Sequence, residues 1–248
     1  MALYESIADY YDEIFLLKQT RLDFLESFLK NKLKILDIGC ATGELAIALA
    51  KKGHQVTGID LDEKMIRLAR SKAEKQSLSF EPGGAPPFYV KDMTRIGEDF
   101  SGGTFDAVLC FGNTLVHLEN PEKIKELFIG IKKILKGGGI AVLQIVNYDR
   151  VLSAKIKELP LLENENFVFR RRYDYDEERH RIGFITDLKI KKGGKVIKNS
   201  ENLYPLTFKE LKHALDWAGF SKKQFYGSET GAPYDKTSPA LIAAVTFC

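Results

Sequence analysis

The sequence predicts an α/β protein in which helices cover both faces of a largely parallel sheet, followed by a small antiparallel unit. Three observations carry that expectation. Short apolar runs alternate with helical patterns from Lys34 to Val146, the order produced by parallel strands joined through crossover helices. The segment Ile35-Leu36-Asp37-Ile38-Gly39-Cys40-Ala41-Thr42-Gly43-Glu44-Leu45 runs from a strand through two glycines into an Ala- and Leu-rich helix, the pattern of a turn that receives a nucleoside. After Asn147 the texture changes to strand patterns separated by charged or Gly-Gly turns, which is antiparallel chemistry.

Taken in order, residues 3–30 place Ile7, Tyr10, Tyr11, Ile14, Phe15, Leu22, Leu25, Phe28 and Leu29 at roughly helical spacing, so one or two helices precede the first strand. Strands are predicted at 34–38, 55–59, 88–91, 105–111 and 140–146, with helices at 44–52, 63–76 and 122–135. Lys52-Gly53 closes one helix, Glu81-Pro82-Gly83-Gly84-Ala85-Pro86-Pro87 forms a loop, and Lys136-Gly137-Gly138-Gly139 ends another helix ahead of a buried strand. Three antiparallel strands follow at 166–175, 181–191 and 195–204. Thr207 then caps a helix reaching Trp217 and ending at Gly219-Phe220, and strands at 223–226 and 240–247 return to the main sheet as a hairpin. The implied organisation is a helical lid at 1–30, a core at 31–146, an antiparallel insertion over the substrate at 147–205, and a closing helix and hairpin at 206–248.

Composition narrows the function. A chain of 248 residues fits one domain with an insertion, and no apolar stretch approaches the ~20 residues of a membrane span, so a soluble protein is expected. The balance of 37 basic against 34 acidic residues, a net charge of +3, is too mild to imply a nucleic-acid partner. Cys40, Cys110 and Cys248 are far apart and form no C-x-x-C pair, which argues against a disulfide framework and a thiolate metal site. No metal is expected, and the thiols suit a reducing cytoplasm. The start, Met1-Ala2-Leu3-Tyr4-Glu5-Ser6, lacks a basic region followed by an apolar core, so no secretory signal is expected. Oligomeric state is not legible.

Gly39 and Gly43 let the backbone turn tightly and approach a ligand, and the next helix presents free N–H groups. Asp37 sits beneath that turn. Asp60 lies 17 residues past Gly43, near the ~20-residue offset at which an acid meets ribose hydroxyls. Ala41 replaces the middle glycine of the dinucleotide pattern, and Glu44, just after Gly43, would repel a pyrophosphate. An adenosine-bearing cofactor without that group fits better than NAD.

These motifs resemble those of the class I S-adenosylmethionine-dependent methyltransferases. Asp37-Ile38-Gly39-Cys40-Ala41-Thr42-Gly43 is similar to that family's first motif, and Asp60, followed by Leu61, to its ribose-binding acid. Lys91-Asp92-Met93 resembles the unit after the third strand, implying that Asp92 meets the adenine amine and Met93 packs on the ring. The run from Phe105 to Asn113, with Phe111 and Gly112, resembles the fourth-strand motif, and Leu135-Lys136-Gly137-Gly138-Gly139 the turn before the fifth. The resemblance implies a Rossmann-like, doubly wound seven-stranded sheet whose last strand is antiparallel, with S-adenosyl-L-methionine at the carboxyl ends of strands one to four. It further implies methyl transfer to nitrogen or oxygen of a small-molecule acceptor.

Gly112-Asn113-Thr114-Leu115-Val116-His117-Leu118, Asn147-Tyr148-Asp149 and the antiparallel insertion are similar to the glycine and sarcosine N-methyltransferase group. In that group an arginine before the Asn-Tyr-Asp unit binds an amino-acid carboxylate; Val146 stands there in this chain, which points away from glycine. Arg21 resembles the position that holds the cofactor's methionine carboxylate, and a guanidinium suits that group. Tyr11-Asp12 resembles an N-terminal signature of methyltransferases, and Tyr4, Tyr10 and Tyr11 form a candidate aromatic lid.

Asn113, His117 and Tyr148 are the candidate catalytic residues. Asn113 is read either as a substrate or cofactor contact or as a helix cap, and His117 either as a proton acceptor or as a hydrogen-bonded structural histidine. Arg170-Arg171-Arg172 with Lys189, Lys191 and Lys192 is the main basic concentration, yet Asp174, Asp176, Glu177 and Glu178 follow at once. That mixed field disfavours an RNA surface and leaves one of the arginines as a candidate holder of an anionic substrate. The alternatives are an RNA or protein methyltransferase, and a non-catalytic partner protein that binds the same cofactor.

Overall fold

Alternation along the strands decides which way each side chain of the main sheet points. In the computed structural model, which describes residues 2–76 and 87–247, Ala107 and Leu109 of one central strand enter the core on one face while Val108 and Cys110 enter it on the other. The predicted loop at 81–87 falls outside the described residues except for Pro87.

The chain begins with α1 (Ala2–Ile7), a 3₁₀ turn (Ala8–Tyr10), α2 (Tyr11–Ile14) and α3 (Gln19–Glu26), and then enters β1 (Lys34–Ile38). There follow α4 (Glu44–Lys51), β2 (Gln55–Asp60), α5 (Glu63–Lys75), β3 (Phe88–Val90), a 3₁₀ turn (Met93–Arg95) and α6 (Ile96–Asp99). Next come β4 (Phe105–Cys110), a 3₁₀ turn (Thr114–His117), α7 (Pro121–Ile134), β5 (Leu135–Val146) and α8 (Tyr148–Ser153). A second sheet is made by β6 (Leu162–Glu163), β7 (Phe167–Asp176), β8 (Arg181–Ile190) and β9 (Val196–Leu203), after which α9 (Phe208–Trp217), β10 (Lys222–Tyr226) and β11 (Ala240–Thr246) close the main sheet.

The main sheet has the order β10-β11-β5-β4-β1-β2-β3. β11 runs antiparallel to both β5 and β10, while β1, β2, β3, β4 and β5 pair in parallel. The predicted doubly wound sheet with one antiparallel strand is therefore present. The order in which successive strands are added reverses between β1 and β4, and the crevice outside their carboxyl ends is where such sheets take ligands. On one face α4 buries most of its length, with Leu45, Ala46, Ile47, Leu49 and Ala50 all entering the core. On the other, α7 does the same with Ile124, Leu127, Phe128 and Ile131.

Several element boundaries differ from the sequence reading. β5 begins at Leu135 rather than at 140, because the three glycines lie inside the strand as an irregularity of the β4–β5 register. A Cβ on Gly139 would come within 2.9 Å of the Lys136 carbonyl, so glycine is needed to keep the ladder there. The insertion starts with α8, capped by the Asn147 side chain, and carries a fourth short strand, β6. The N-terminal stretch breaks into three short helices. Ile7 and Ile14 are buried with Phe167, Phe169 and Leu188, so α1 and α2 lie on the second sheet, whereas Leu22, Phe24 and Leu25 of α3 enter the main-sheet core. Among the described residues no helix is long and apolar enough to cross a membrane.

Candidate cofactor and acceptor site

The turn after β1 is built by two glycines with different tasks. Gly39 has φ +69°, and a Cβ there would stand 2.5 Å from Thr114, so only glycine lets the backbone pass. Its N–H and that of Cys40 donate to the Ile59 carbonyl at 2.8 and 3.0 Å, which ties the loop to the end of β2. Gly43, at φ +80°, faces Phe88 and Ala69 instead, where a Cβ would meet the Phe88 ring at 2.8 Å. It seats the start of α4 on the sheet and does not line the crevice. Ala41 adopts φ +47°, a left-handed conformation that an alanine holds at a cost of roughly 1 kcal/mol.

Asp60 holds that conformation in place. One carboxylate oxygen accepts the Ala41 N–H at 2.9 Å and the other accepts the Asp62 N–H at 2.9 Å, and each retains a lone pair for a ligand. Burial pushes its carboxyl up, and the two backbone donors act against that shift. Asp37 is 2% exposed, and its Oδ2 has no hydrogen-bond donor. Burial raises its pKa to about 7 despite the opposing field of Arg21. Arg21 Nε pairs with Glu229 at 2.7 Å and its guanidinium lies 5.4 Å over the Phe111 ring.

Two cavities share Tyr4, Tyr11, Ala41, Phe111 and Gly112 as common wall. The first, about 430 Å³, is also lined by Gly39, Asp60, Leu61, Asp92, Met93 and His117. The second, about 640 Å³, passes Arg21, Asp37, Cys40 and Asn113 and continues to the second sheet at Phe167, Arg171, Tyr173 and Phe184. Gly112, at φ +75° with open space where a Cβ would stand, leaves bare backbone facing the junction; its N–H donates to Gln144 Oε1 at 2.9 Å.

Of the sequence-predicted site residues, Gly43 and Tyr148 line neither cavity. Tyr148 is fully buried, and its hydroxyl accepts from Asn113 Nδ2 at 2.9 Å. Asn113 Oδ1 in turn accepts the Val146 N–H at 2.9 Å, so the amide bridges two strand ends and caps no helix. Asn147 is also structural, donating to the carbonyls of Lys236 and Ser238 at 3.1 and 2.9 Å. His117 Nε2 is hydrogen-bonded to the Tyr4 hydroxyl at 3.0 Å, and burial lowers its pKa, so the ring is neutral near pH 7. Burial raises the pKa of Tyr4 and Tyr11. Asp92 accepts the Thr94 N–H and hydroxyl, each at 2.8 Å.

Some contacts carried no sequence signal. Glu229 meets Arg21 from 208 positions away, and Gln144 reaches Gly112 from the neighbouring strand. Asp12 is bonded by the Thr42 hydroxyl and paired with Lys72, which also holds Glu44 at 2.7 Å. The Tyr11-Asp12 likeness carried no indication of these partners.

The model of the family described as "Methyltransferase domain" matches residues 35–139. A Geobacillus sp. (strain WCH70) protein, itself provisionally named a methyltransferase, is 38% identical over 151 residues, covering 57% of this chain and 57% of that protein. Glycine N-methyltransferase of Oryctolagus cuniculus is 30% identical over 129 residues, 48% of this chain and 43% of the relative. The chain thus matches little more than half the length of one relative and less than half of the other. A structure of an S-adenosylmethionine-dependent methyltransferase from Clostridium acetobutylicum ATCC 824 superposes with a TM-score of 0.80 over 99% of both chains at 17% identity, a likeness of fold. The likeness to glycine N-methyltransferase is weaker than that to the Geobacillus protein.

The residues of the crevice fit an S-adenosylmethionine molecule. The donor-less Asp37 Oδ2 suits a cationic amino-acid end. Asp60 has lone pairs for a diol, and Gly39 and Gly112 keep the backbone clear of side chains where a ligand approaches.

Proposed function

We propose that the chain transfers a methyl group from S-adenosylmethionine to nitrogen or oxygen of a small-molecule acceptor that enters the second cavity. The junction of the two cavities at Ala41, Phe111 and Gly112 carries this reading. One cavity runs beside the nucleoside residues, and the other is closed by the N-terminal helices and the second sheet.

When bound, the cofactor supplies a sulfonium methyl that is already an activated electrophile. The protein's task is then alignment in a water-poor space, which contributes several kcal/mol. In this reading Asp60 holds the ribose hydroxyls, Asp92 and Met93 the adenine, and Asp37 the amino-acid end. Arg21, already paired with Glu229, lies beside that end. Tyr11 and Tyr4 roof the junction. Asn113, pinned by Tyr148 and Val146, fixes the strand end facing the acceptor. His117 and Tyr4 occupy each other and remain neutral, so neither is assigned as the base; a neutral nucleophile suits that arrangement.

The arginine run supports a small acceptor over RNA. Arg171 lines the inner cavity, Arg172 is held by Asp187, and Lys191 by Glu163, so these three are not free to add to an exposed basic face.

Calorimetry with S-adenosylhomocysteine tests the cofactor half of the reading. Asp60→Ala is expected to weaken binding about 10- to 100-fold, the worth of one or two hydrogen bonds to a charged group; wild-type affinity in that variant would refute the assignment. Incubation with methyl-labelled cofactor and a metabolite extract tests the other half. Label is expected among small molecules, and label confined to tRNA or protein would overturn the acceptor class.

A further inference from the structure

Arg171 stands apart from the other basic residues of the second sheet. Side chains alternate along β7, and Phe167, Phe169 and Tyr173 are buried; Arg171 belongs to the same inward row. Arg170 and Arg172 are exposed, and Arg172 Nη2 pairs with Asp187 at 2.9 Å. The Arg171 guanidinium lies 5.8 Å over the Phe169 ring, and its Nη2 donates to the Pro160 carbonyl at 2.7 Å. Its Nε is buried with no acceptor. Among the described residues no carboxylate pairs with it, and burial pulls its pKa down.

A guanidinium held in an apolar wall without a counter-ion is destabilising unless something supplies the charge. The other charged groups on this cavity do not. Arg21 is paired with Glu229, Glu44 with Lys72 and Glu163 with Lys191, and Glu13 accepts from the amides of Asn164 and Asn166. Lys18 is itself a cation, and Asp37 lies in the field of Arg21 and forms no pair with Arg171. Phe15, Phe184 and Leu162 make the facing walls apolar. At the far end of the same space lie Gly112 and Asn113, where the two cavities meet.

We propose that Arg171 anchors an anionic group of the methyl acceptor, a carboxylate or a phosphate, whose apolar body lies against Phe15 and Phe184 and whose nucleophilic atom points to the Gly112–Asn113 end. This rests on the methyl-transfer reading above for the identity of the ligand as acceptor. Paired with such an anion, the Nε–H gains the acceptor it lacks, and Arg offers the planar donor set that both anions match.

The test titrates the full chain, with and without saturating S-adenosylhomocysteine, against phenylacetate, phenyl phosphate and the neutral 2-phenylethanol by calorimetry. At least one anion is expected to bind about tenfold or more tightly than the alcohol, the worth of one charge-assisted pair, and whichever anion wins identifies the group. Arg171→Met is expected to erase that preference, Arg171→Lys to keep part of it, and Arg172→Met to keep all of it. Equal binding of alcohol and anions, binding of none of the three, or an unchanged preference in Arg171→Met would overturn the proposal. The wild-type comparison stands even if a variant fails to fold. Absence of S-adenosylhomocysteine binding would instead defeat the cofactor reading, because titration of the ligand-free chain still reads the anchor.

Discussion

Asp37 shows how much a single position can carry without announcing it. Its place at the end of β1 was legible from the strand-turn pattern, but its state was not, because protonation depends on burial that no local spacing reveals. With a folded pKa of about 7 against 3.8, the folded chain binds a proton that the unfolded chain has lost between those values. Its contribution to stability is therefore full below about pH 4 and falls as pH rises toward 7, by an amount on the order of a few kcal/mol. Asp37→Asn is expected to raise the melting temperature at pH 8 and leave it nearly unchanged at pH 4; equal effects at both would refute the assignment. Gly39 and Gly43 make the complementary point. Both were recognisable as turn glycines, yet one clears Thr114 beside the crevice and the other clears Phe88 beneath a helix. Only tertiary packing separates those roles.

At the scale of elements, legibility followed the strength of local signals. α9 has a full capping box, in which Thr207 Oγ1 accepts the Glu210 N–H and Glu210 accepts the Thr207 N–H at 2.9 Å, and its start was readable from Thr207. Thr207→Ala is expected to destabilise the chain by about 1 kcal/mol, seen as a lower denaturation midpoint with an unchanged slope. The N-terminal helices lie at the other extreme. The 3₁₀ turn, α2 and α3 begin without a side-chain cap, and α1 and α2 owe their form to Ile7 and Ile14 resting on Phe167, Phe169 and Leu188. Short helices of this kind have little stability of their own, so periodicity located the segment but not its breaks. β5 was misplaced for a related reason: a Gly-Gly-Gly run reads as a stop, whereas here it keeps strand pairing under steric crowding.

On the scale of the whole molecule, the seven-stranded doubly wound sheet and the direction of its last strand followed from the alternation and from the resemblance that the motifs carried, while the strand order came from the structure. The joining of the two sheets was not legible either. It is made by a shared core, in which Tyr173, Ile182 and Leu203 of the second sheet pack with Val116 and Tyr148, and by α1 and α2, which lie on the second sheet and at the same time reach the main one. Asp12 accepts from the hydroxyl of Thr42, in the turn after β1, and pairs with Lys72 on α5, while Asp9 meets Lys64 on the same helix at 3.3 Å. These links are part-exposed and so are weakened by salt.

Under the proposed function, a roof fastened by charges would give the nucleoside a residence time that the medium can tune. On the methyl-transfer proposal, departure of a spent cofactor would require Tyr4 and Tyr11 to lift, and the fastening at Lys72 would resist that step. The dissociation rate of S-adenosylhomocysteine, followed by displacement kinetics, is expected to climb severalfold between about 50 and 500 mM salt, within the order of magnitude that Debye screening of such pairs allows. Lys72→Met should start fast and respond little to added salt; a variant that releases as slowly as the parent would show the latch to be elsewhere.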